Sequence, residues 1–307
     1  MTSGKQVTYS AYVPLKVGVT NSFRFNDCRI GDCTFEPFDQ ARKDKTLNFG
    51  FNDWLSHCEK EDIDRSRLLI ICKREYPSDL GEDQIKNDLE DEYSTVLNLL
   101  QIACNLDAYP NYAWFVKYSQ NNDYIILGSK KSFLKPEFIL PGRNVSKCAI
   151  KLSRILYENY RYVQKNKISR LMIPFTLFSY INRIGEGWLR LMLIFSLLEC
   201  LYVSGKRRRN KIKELGERLS LFLYRRVRSD IKEKIETAYR IRSDIIHGSF
   251  KEEGKLTEQL LKDVYNYSSK SWLKIMLKLS NIETFADDKK RERYFEDFHK
   301  NWKLHKS

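Results

Sequence analysis

The chain has 307 residues, 42% of them hydrophobic, with 17 Phe, 18 Tyr and 5 Trp. This apolar content is enough to form buried cores, which excludes a disordered or collagen-like protein, and the length favours two domains over one. The formal net charge of +14 is unevenly divided: residues 1–145 hold 18 basic and 21 acidic side chains, whereas residues 146–307 hold 36 and 19. The second part therefore suits a polyanionic partner, nucleic acid or an anionic membrane, although a solvated basic face would have the same composition.

The apolar segments do not predict a membrane protein. The first ten residues lack the apolar core of a signal peptide. The longest apolar stretch, Trp188–Val203, contains Arg190 and Glu199 and is too short to cross a bilayer. The seven cysteines are odd in number and scattered, unlike a disulfide framework. We expect a soluble, cytoplasmic protein with no membrane partner.

Strand patterns dominate the first 142 residues. Short β-branched and aromatic runs bounded by turn residues predict strands at 7–15, 33–38, 47–51 and 67–76. Residues 82–104 then change to helical periodicity, and the runs 112–119 and 123–129 predict a hairpin. The apolar stripe of the predicted helix consists of Ile85, Leu89, Tyr93, Val96 and Leu100.

Helical patterns fill the rest of the chain after a linker at 134–144, which contains two prolines and a glycine. Residues 188–202 are apolar nearly all round, which predicts a buried central helix. The other predicted helices span 145–163, 171–181, 210–225, 230–247, 256–280 and 288–304. We therefore predict an α+β protein, with a β-rich domain at 1–142 followed by an all-α helical bundle at 143–307.

The helix predicted at 230–247 has a charge on its buried side. Asp230 is its predicted N-cap, with Glu233 completing a capping box, and a stripe of Ile231, Ile235, Ala238 and Ile245 marks the buried face. Arg242 belongs to the same stripe, where a guanidinium is costly unless a carboxylate or a phosphate meets it. Glu199, within the apolar helix, is the other charge in an unexpected position. We predict a contact between Glu199 and Arg242.

His247 follows Arg242 by five residues, just before Gly248. The carbonyl end of a helix favours a protonated imidazole, and the ordinary pKa of His lies near neutrality. Five residues correspond to a rotation of about 140° around an ideal helix, so the two side chains point too far apart to contact the same atom. Either the helix unwinds at its end or a second subunit completes the site, which favours a dimer. From the residues alone, a structural role, with Arg242 as an ion-pair residue and His247 as a helix C-cap, explains this pattern as well as a functional site does.

The segment Tyr239–Gly248 resembles the R-S-x-I-x-H-G segment of the Apea-like branch of HEPN domains. Residues 195–201 resemble the apolar helix of that branch with its central Glu, and residues 217–220 resemble the helix between them. The resemblance covers about 150–285. Asp244 departs from it, since a neutral or basic residue is more usual there.

The resemblance implies a helical bundle that dimerises and acts as a metal-independent endoribonuclease, a hydrolase type common in prokaryotic antiviral defence, abortive infection and toxin systems. Arg242 would then bind the scissile phosphate, His247 would act as general acid or base, Ser243 would hydrogen-bond nearby and Glu199 would orient Arg242. The expected partner is RNA, with transfer RNA among the candidate substrates. The resemblance implies no metal and no cofactor.

Further cations could bind an RNA backbone. The run Lys206, Arg207, Arg208 and Arg209 lies between two predicted helices, and Arg225, Arg226 and Arg228 precede the Arg242 helix. Tyr224 and Tyr239 could stack on bases, although helix-spaced aromatics more often belong to a core. Two other functions remain open: a non-catalytic adaptor that binds nucleic acid or a nucleotide, and a DNA-binding regulator.

Overall fold

A computed structural model describes residues 6–15, 17, 28–40, 43, 65–104, 112–118, 124–131, 145–181, 184–203, 211–249 and 256–304. The chain divides into two compact units: Met1–Lys135 with Ile139–Glu158, and Pro136–Phe138 with Asn159–Ser307. The domain boundary predicted at residue 142 and the strand predicted at 47–51 lie outside the described residues. Sheet and helices together make this an α+β protein, as predicted.

The first unit is built on a six-stranded antiparallel sheet with the order β2-β3-β4-β1-β5-β6. The central pair, β1 and β4, runs in register over ten residues. The predicted hairpin is confirmed as β5 and β6, which pair antiparallel with a bulge near its middle. The strands are β1 (Gln6–Leu15), β2 (Arg29–Ile30), β3 (Cys33–Pro37), β4 (Leu68–Pro77), β5 (Tyr112–Tyr118) and β6 (Tyr124–Lys131).

Helix α1 (Glu82–Cys104) packs on β1, β3 and β4, and its bounds are those predicted. Its predicted apolar stripe is buried throughout, because it supplies one wall of the core: Ile85, Leu89, Tyr93, Val96 and Leu100. One acidic residue, Glu92, lies on the same buried face, and its side chain is only 3% exposed. This burial is compensated by Arg74, 2.8 Å away, and by the Tyr157 hydroxyl, which donates at 2.5 Å.

Gly31 forms the tight turn between β2 and β3 beside this buried acid. Its φ of +56° lies in the left-handed region, and a β-carbon at this position would stand 2.4 Å from Oε1 of Glu92 and 2.5 Å from Cζ of Tyr157. Only glycine satisfies both requirements. On the adjoining strands, Cys33 and Cys72 face each other in register and are fully buried. Their hydrogen bond and their burial raise the pKa of Cys33 well above its usual value.

Helices make up the remaining described residues. The predicted helices are confirmed, except that the helix expected at 256–280 ends at Met276 and a further helix, which was not predicted, follows at Leu279–Ala286. They are α2 (Lys147–Lys165), α3 (Ser169–Ile181), α4 (Gly187–Tyr202), α5 (Lys211–Tyr224), α6 (Ser229–Ile246), α7 (Glu258–Met276), α8 (Leu279–Ala286) and α9 (Asp288–Leu304). Among the described parts of the chain, no helix is both long enough and apolar enough to cross a membrane.

The break between α7 and α8 is stabilised by one distant and one nearby side chain. Two asparagine side chains bond carbonyls at the end of α7: Asn159 donates to Met276 at 2.5 Å, and Asn281 donates to Lys274 at 2.8 Å. Lys278 then takes an extended conformation, with φ −136° and ψ 124°, from which α8 starts. Side-chain donors thus replace main-chain donors at the last carbonyls, which is how a helix end is satisfied.

Aromatic rings fill the core of the second unit. Trp272 of α7 is fully buried, with Phe175 stacked on it and the ring of Phe178 at its edge, both from α3. A second aromatic group lies where α4, α5, α8 and α9 converge, and it consists of Tyr202, Phe222, Phe285 and Phe295. These rings fix the positions of α4 and α5, next to which α6 packs.

Candidate functional site

Helix α4 has one buried and one half-exposed face. The prediction of a buried central helix is right for the face formed by Leu191, Ile194, Phe195, Leu197, Leu198 and Leu201. It is wrong for the opposite face, which is half-exposed along Met192, Leu193, Ser196, Glu199 and Cys200. The Glu199 carboxylate therefore keeps part of its contact with water, so it does not need ion pairs or hydrogen bonds to replace all of its hydration. It lies at a surface that a ligand can reach.

Helix α6 begins one residue earlier than predicted. Arg228 is its N-cap and makes no side-chain cap hydrogen bond. The predicted capping box with Asp230 is wrong, because both oxygens of that carboxylate bind the Arg228 guanidinium, at 3.0 and 2.7 Å. This contact lowers the pKa of Asp230. The buried stripe of α6 consists of Ile231, Ile235, Ala238 and Ile241, so Ile241 replaces the predicted Ile245.

Arg242 points toward α4 at the edge of this stripe. Its Nη1 lies 3.5 Å from Oε1 of Glu199, which confirms the predicted contact. Both side chains are partly exposed, Arg242 by 16% and Glu199 by 28%. The guanidinium stands over the Tyr239 ring, 5.2 Å from its centroid, and Phe195 packs at right angles to that ring. The Tyr239 ring thus stabilises the position of Arg242 through a cation–π contact.

The Nε of Arg242 is buried and has no hydrogen-bond partner among the described residues. A buried donor left unpaired costs roughly 1–3 kcal/mol, and such groups in folded proteins call for an explanation. The unpaired nitrogen does not by itself set Arg242 apart, because Nε and Nη1 of Arg291 are also buried without a partner among the described residues. Other partly or fully buried arginines of this unit do, however, donate to main-chain carbonyls. They are Arg170, Arg190, Arg218 and Arg291. Arg242 makes no such bond within the described residues, and this difference separates it from the structural arginines.

His247 is the C-cap of α6, and its side chain is exposed. The main-chain N–H groups of Gly248 and Ser249 donate to Ile245 and Asp244, at 3.2 and 2.9 Å, and Gly248 has a φ of +66°. This is the Schellman arrangement that ends many helices, and it confirms Gly248 as the predicted break. The helix therefore stops at His247 with its backbone held by hydrogen bonds while its imidazole faces solvent.

The other residues predicted for the site lie close by in the chain. Ser243 is half-buried, and its carbonyl accepts the N–H of His247 at 3.0 Å. Asp244 has an exposed side chain, while its carbonyl accepts both the N–H and the hydroxyl of Ser249. Neither side chain contacts Arg242 in the described hydrogen bonds and ion pairs. The structure thus joins Arg242 to Glu199 and Tyr239 and leaves His247 at the exposed helix end.

The cations predicted to bind an RNA backbone differ in their exposure and in their partners. Lys206, Arg207, Arg208 and Arg209 lie outside the described residues. Arg225 and Arg226 are exposed in the turn between α5 and α6. Arg228 is neutralised by Asp230, and its guanidinium covers the Tyr224 ring at 4.9 Å. One face of the Tyr224 ring is therefore covered by the guanidinium.

Sequence reasoning missed three arginines that meet at the carbonyl end of α4. Arg170, Arg218 and Arg291 donate to carbonyls of its last turn and of Val203. Arg291 is fully buried, and burial lowers its pKa. Its position four residues before the buried Phe295 is the same pattern that singled out Arg242. A cation on an apolar stripe therefore does not by itself distinguish a helix cap from a ligand site.

Comparison with known proteins gives no further guidance. The chain matches no protein-family model, no curated protein and no solved structure.

Proposed function

We propose that this chain is a metal-independent endoribonuclease of the HEPN type, with Arg242 and His247 as its catalytic residues. The main support is the environment of Arg242. Its guanidinium contacts Glu199 and Tyr239 but donates no hydrogen bond to a helix carbonyl within the described residues. The resemblance of Tyr239–Gly248 to the HEPN motif supplies the reaction class. The helical second unit is consistent with that resemblance.

The chemistry needs few groups. RNA brings its own nucleophile, the 2′-OH, so the protein must take one proton, give another and stabilise charge on the phosphate. The planar guanidinium of Arg242 suits two phosphoryl oxygens at once, and the imidazole of His247 exchanges protons near neutrality. Glu199 and Tyr239 orient Arg242, and Ser243 lies between the two catalytic residues in the chain. The products would be a 2′,3′-cyclic phosphate and a 5′-hydroxyl.

A second copy of the chain completes the site in this proposal. One helix separates Arg242 and His247 by five residues, and the structure leaves the imidazole exposed. Ile246, next to His247, is an apolar side chain with 49% exposure. A homodimer that covers Ile246 would bring two Arg242–His247 pairs into one cleft, as the family resemblance implies.

The biological role that fits such an activity is defence or growth arrest in the cytoplasm. Unregulated RNA cleavage is toxic, so the activity needs a trigger. The first unit, with its near-neutral to acidic composition, is the part of the chain available to receive that trigger or to position the substrate.

The decisive experiment incubates the full chain with a mixed RNA pool, with and without EDTA. Cleavage in EDTA should persist in the parent and in Arg240→Ala, an exposed cation on the same helix. Arg242→Ala and His247→Ala should lose it. Arg242→Lys keeps the charge but loses the planar fork, so it should also be impaired. DNA of the same sequence should resist, since it lacks the nucleophile.

Full cleavage by both alanine variants would remove the proposal. Tight RNA binding without cleavage by the parent would instead favour the non-catalytic adaptor. Salt-dependent binding with no preference between RNA and DNA would favour the DNA-binding regulator.

A further inference from the structure

Helix α2 presents a line of charged side chains to solvent. Its buried face consists of Ile150, Leu156, Tyr157, Tyr160 and Val163. On the opposite face, six charged residues recur at alternating spacings of four and three, which places them within a sector of about 80° around an ideal helix. Five are basic and one is acidic, and all are exposed: Lys147, Lys151, Arg154, Glu158, Arg161 and Lys165.

The three lysines of this line have no counter-charge among the described residues. The side chains of Lys147, Lys151 and Lys165 take part in none of the described ion pairs or hydrogen bonds. Lys234, on α6, shows that a well-exposed lysine can be paired: its side chain is 41% exposed, yet its ammonium group lies 2.5 Å from Asp263. Exposure alone therefore does not explain why the lysines of α2 lack a carboxylate.

The middle of the line holds two arginines and the one acid. Arg154 donates from Nε to the carbonyl of Arg29 at 2.9 Å, and Arg161 donates from Nη1 to the side-chain oxygen of Gln164 at 3.2 Å. Both acceptors are neutral, so these two contacts do not cancel a charge. Glu158 lies between the arginines but forms no described ion pair with either. The three lysines alone outnumber this acid, so the line carries a net positive charge.

The stability of α2 itself does not account for the positions of these cations. Lys147 is the first residue of the helix, and no acidic residue lies in the first turn. A cation at this end is repelled by the positive end of the helix dipole. Lys147 and Lys151, like Arg161 and Lys165, are also like-charge pairs four residues apart, a spacing that destabilises a helix. A bound polyanion would offset both effects.

The length of the line suits the backbone of a nucleic acid. From Lys147 to Lys165 the helix rises by about 27 Å, which corresponds to about eight phosphates of one strand at about 3.4 Å each. Two side chains flank the line on one side, Ile155 with 46% exposure and Tyr162 with 37%. Proteins that bind single strands combine basic contacts to the backbone with aromatic rings on which the bases stack.

An anionic membrane suits this face less well. A helix that lies on a bilayer inserts a broad apolar face at the level of the headgroups. The apolar face of α2 is instead buried, and Ile155 and Tyr162 are the large apolar side chains that its exposed face retains. Two such side chains give little to insert.

We propose that the exposed face of α2 is a binding surface for single-stranded RNA. Lys147, Lys151 and Lys165 contact phosphates, Tyr162 stacks on a base, and Glu158 weakens the binding. The surface lies on a different helix from the Arg242–His247 centre and contacts phosphates other than the scissile one. The proposal rests on the proposed function in taking RNA rather than DNA as the ligand.

The test uses a fluorescent 20-nucleotide 2′-O-methyl RNA, which lacks the nucleophile and is not cleaved. Its dissociation constant for the full chain is measured over a series of KCl concentrations. The α2 lysine variant combines Lys147→Gln, Lys151→Gln and Lys165→Gln. At about 0.15 M KCl it should bind about 50-fold more weakly, and the slope of log K against log salt should fall by about 2, the contribution of three phosphate contacts. Its thermal unfolding midpoint should not fall, since the positions are exposed and glutamine is as good a helix former.

Tyr162→Ala separates stacking from charge. It should weaken binding about tenfold, the effect of one lost stacking contact, and leave the salt slope unchanged. A fall in the slope with no change in affinity would contradict the stacking role.

Two controls match these changes in charge. Lys213→Gln, Lys270→Gln and Lys289→Gln combined remove three exposed cations from α5, α7 and α9, and binding should fall less than threefold. Glu158→Gln should strengthen binding about threefold, a gain that partial unfolding would not produce. Glu296→Gln, at an exposed position on α9, should leave binding unchanged.

Equal losses in the two triple lysine variants, or an unchanged affinity in Glu158→Gln, would overturn the surface. Equally strong competition by a polyglutamate chain of the same charge would also overturn it, in favour of an acidic protein. Binding to phosphatidylserine vesicles by the parent, but not by the α2 lysine variant, would overturn it in favour of a membrane.

Cleavage of a dinucleotide separates this proposal from the ribonuclease proposal. A dinucleotide contains only the scissile phosphate, so the α2 lysine variant should cleave it at the parent rate. If the parent cleaves no RNA while the variant still weakens 20-mer binding, the surface stands and the ribonuclease proposal falls. If the parent cleaves RNA and the variant binds normally, the reverse holds.

Discussion

The Arg242 guanidinium and the Glu199 carboxylate face each other across α4 and α6, with 3.5 Å between Nη1 and Oε1. This separation is at the long end for an ion pair and gives no direct hydrogen bond. Glu199 therefore biases the orientation of Arg242 without tying up its donors. A phosphate that approaches from the half-exposed face of α4 can bind the guanidinium without first breaking a tight contact.

Glu199→Gln tests this orientation. The substitution keeps the shape of the side chain and removes its charge, so kcat for RNA cleavage should fall about fivefold, equivalent to roughly 1 kcal/mol. KM should not rise, because Arg242 keeps its full charge for the phosphate. Glu217→Gln is the control, since Glu217 pairs with Lys232 at 3.3 Å with similar exposure but has no described contact with Arg242. A change in KM alone would contradict the orienting role.

Gly248→Ala should disturb the end of α6. No atom lies within 4 Å of a β-carbon at this position, so the cost comes from the left-handed backbone alone, about 1 kcal/mol in the free energy of unfolding. Because His247 precedes Gly248, activity should fall by more than the loss of stability explains. Gly248→Asn should recover most of both, since Asn tolerates this conformation. Urea unfolding and single-turnover cleavage measure the two effects, and an Asn variant no better than Ala would count against this account.

Gly31→Ala should be among the most destabilising single changes in the first unit. The added β-carbon would collide with Glu92 and Tyr157 and would also require a left-handed alanine. Together these effects should cost about 3 kcal/mol in the free energy of unfolding. Gly216→Ala should be neutral or stabilising, because Gly216 lies inside α5, where alanine is favoured, and its added β-carbon would meet the nearest atom at 3.4 Å. Equal stability of the two variants would show that the turn adjusts.

Alkaline pH should destabilise the protein through Tyr160. Burial raises the pKa of Tyr160 to about 12, whereas an unfolded tyrosine titrates near 10. The folded state therefore holds this proton more tightly. The stability that results is complete below pH 10 and is lost as the pH rises through 12. Tyr160→Phe should flatten the decline in unfolding free energy over this range, and Tyr162→Phe, at an exposed position, should not. An unchanged slope in Tyr160→Phe would contradict the assignment.

Ile246→Ser tests the homodimer. If Ile246 is covered by a second copy, its replacement should shift the sedimentation profile toward the monomer and make cleavage depend more steeply on protein concentration. Ile173→Ser, on α3 with similar exposure, should leave both properties unchanged. A parent chain that is monomeric at assay concentrations, yet active, would rule out a shared site.

Local patterns predicted most of the fold because alternation and helical periodicity are set by neighbours in the chain. The bounds of α1, the β5–β6 hairpin and the glycine that ends α6 all follow from such patterns. The break between α7 and α8 does not, because Asn159, more than a hundred residues away, supplies one of the donors. The N-terminus of α6 was missed for a different reason, since Arg228, only two residues away, binds the carboxylate that was expected to cap the helix.

The candidate site was predictable in part. Two charges in apolar helices, Glu199 and Arg242, sufficed to predict their contact. The contact of Lys274 with α5 was not predictable, since a lysine on a half-polar helix gives no signal in the sequence. Only the packing of α5 against α7 brings its ammonium group to the carbonyls of Phe222 and Leu223.

The described cysteines differ in how they should react with alkylating reagents. Cys33 and Cys72 are sealed beneath α1, and the raised pKa of Cys33 keeps it protonated, so this pair should stay unmodified at neutral pH. Cys200 is half-exposed on the same face of α4 as Glu199. Burial raises the pKa of Cys200 and slows its reaction, while Cys148 is exposed. The alkylation rate of Cys200, followed separately from that of Cys148, therefore reports whether a ligand covers the surface beside Glu199 without an engineered cysteine.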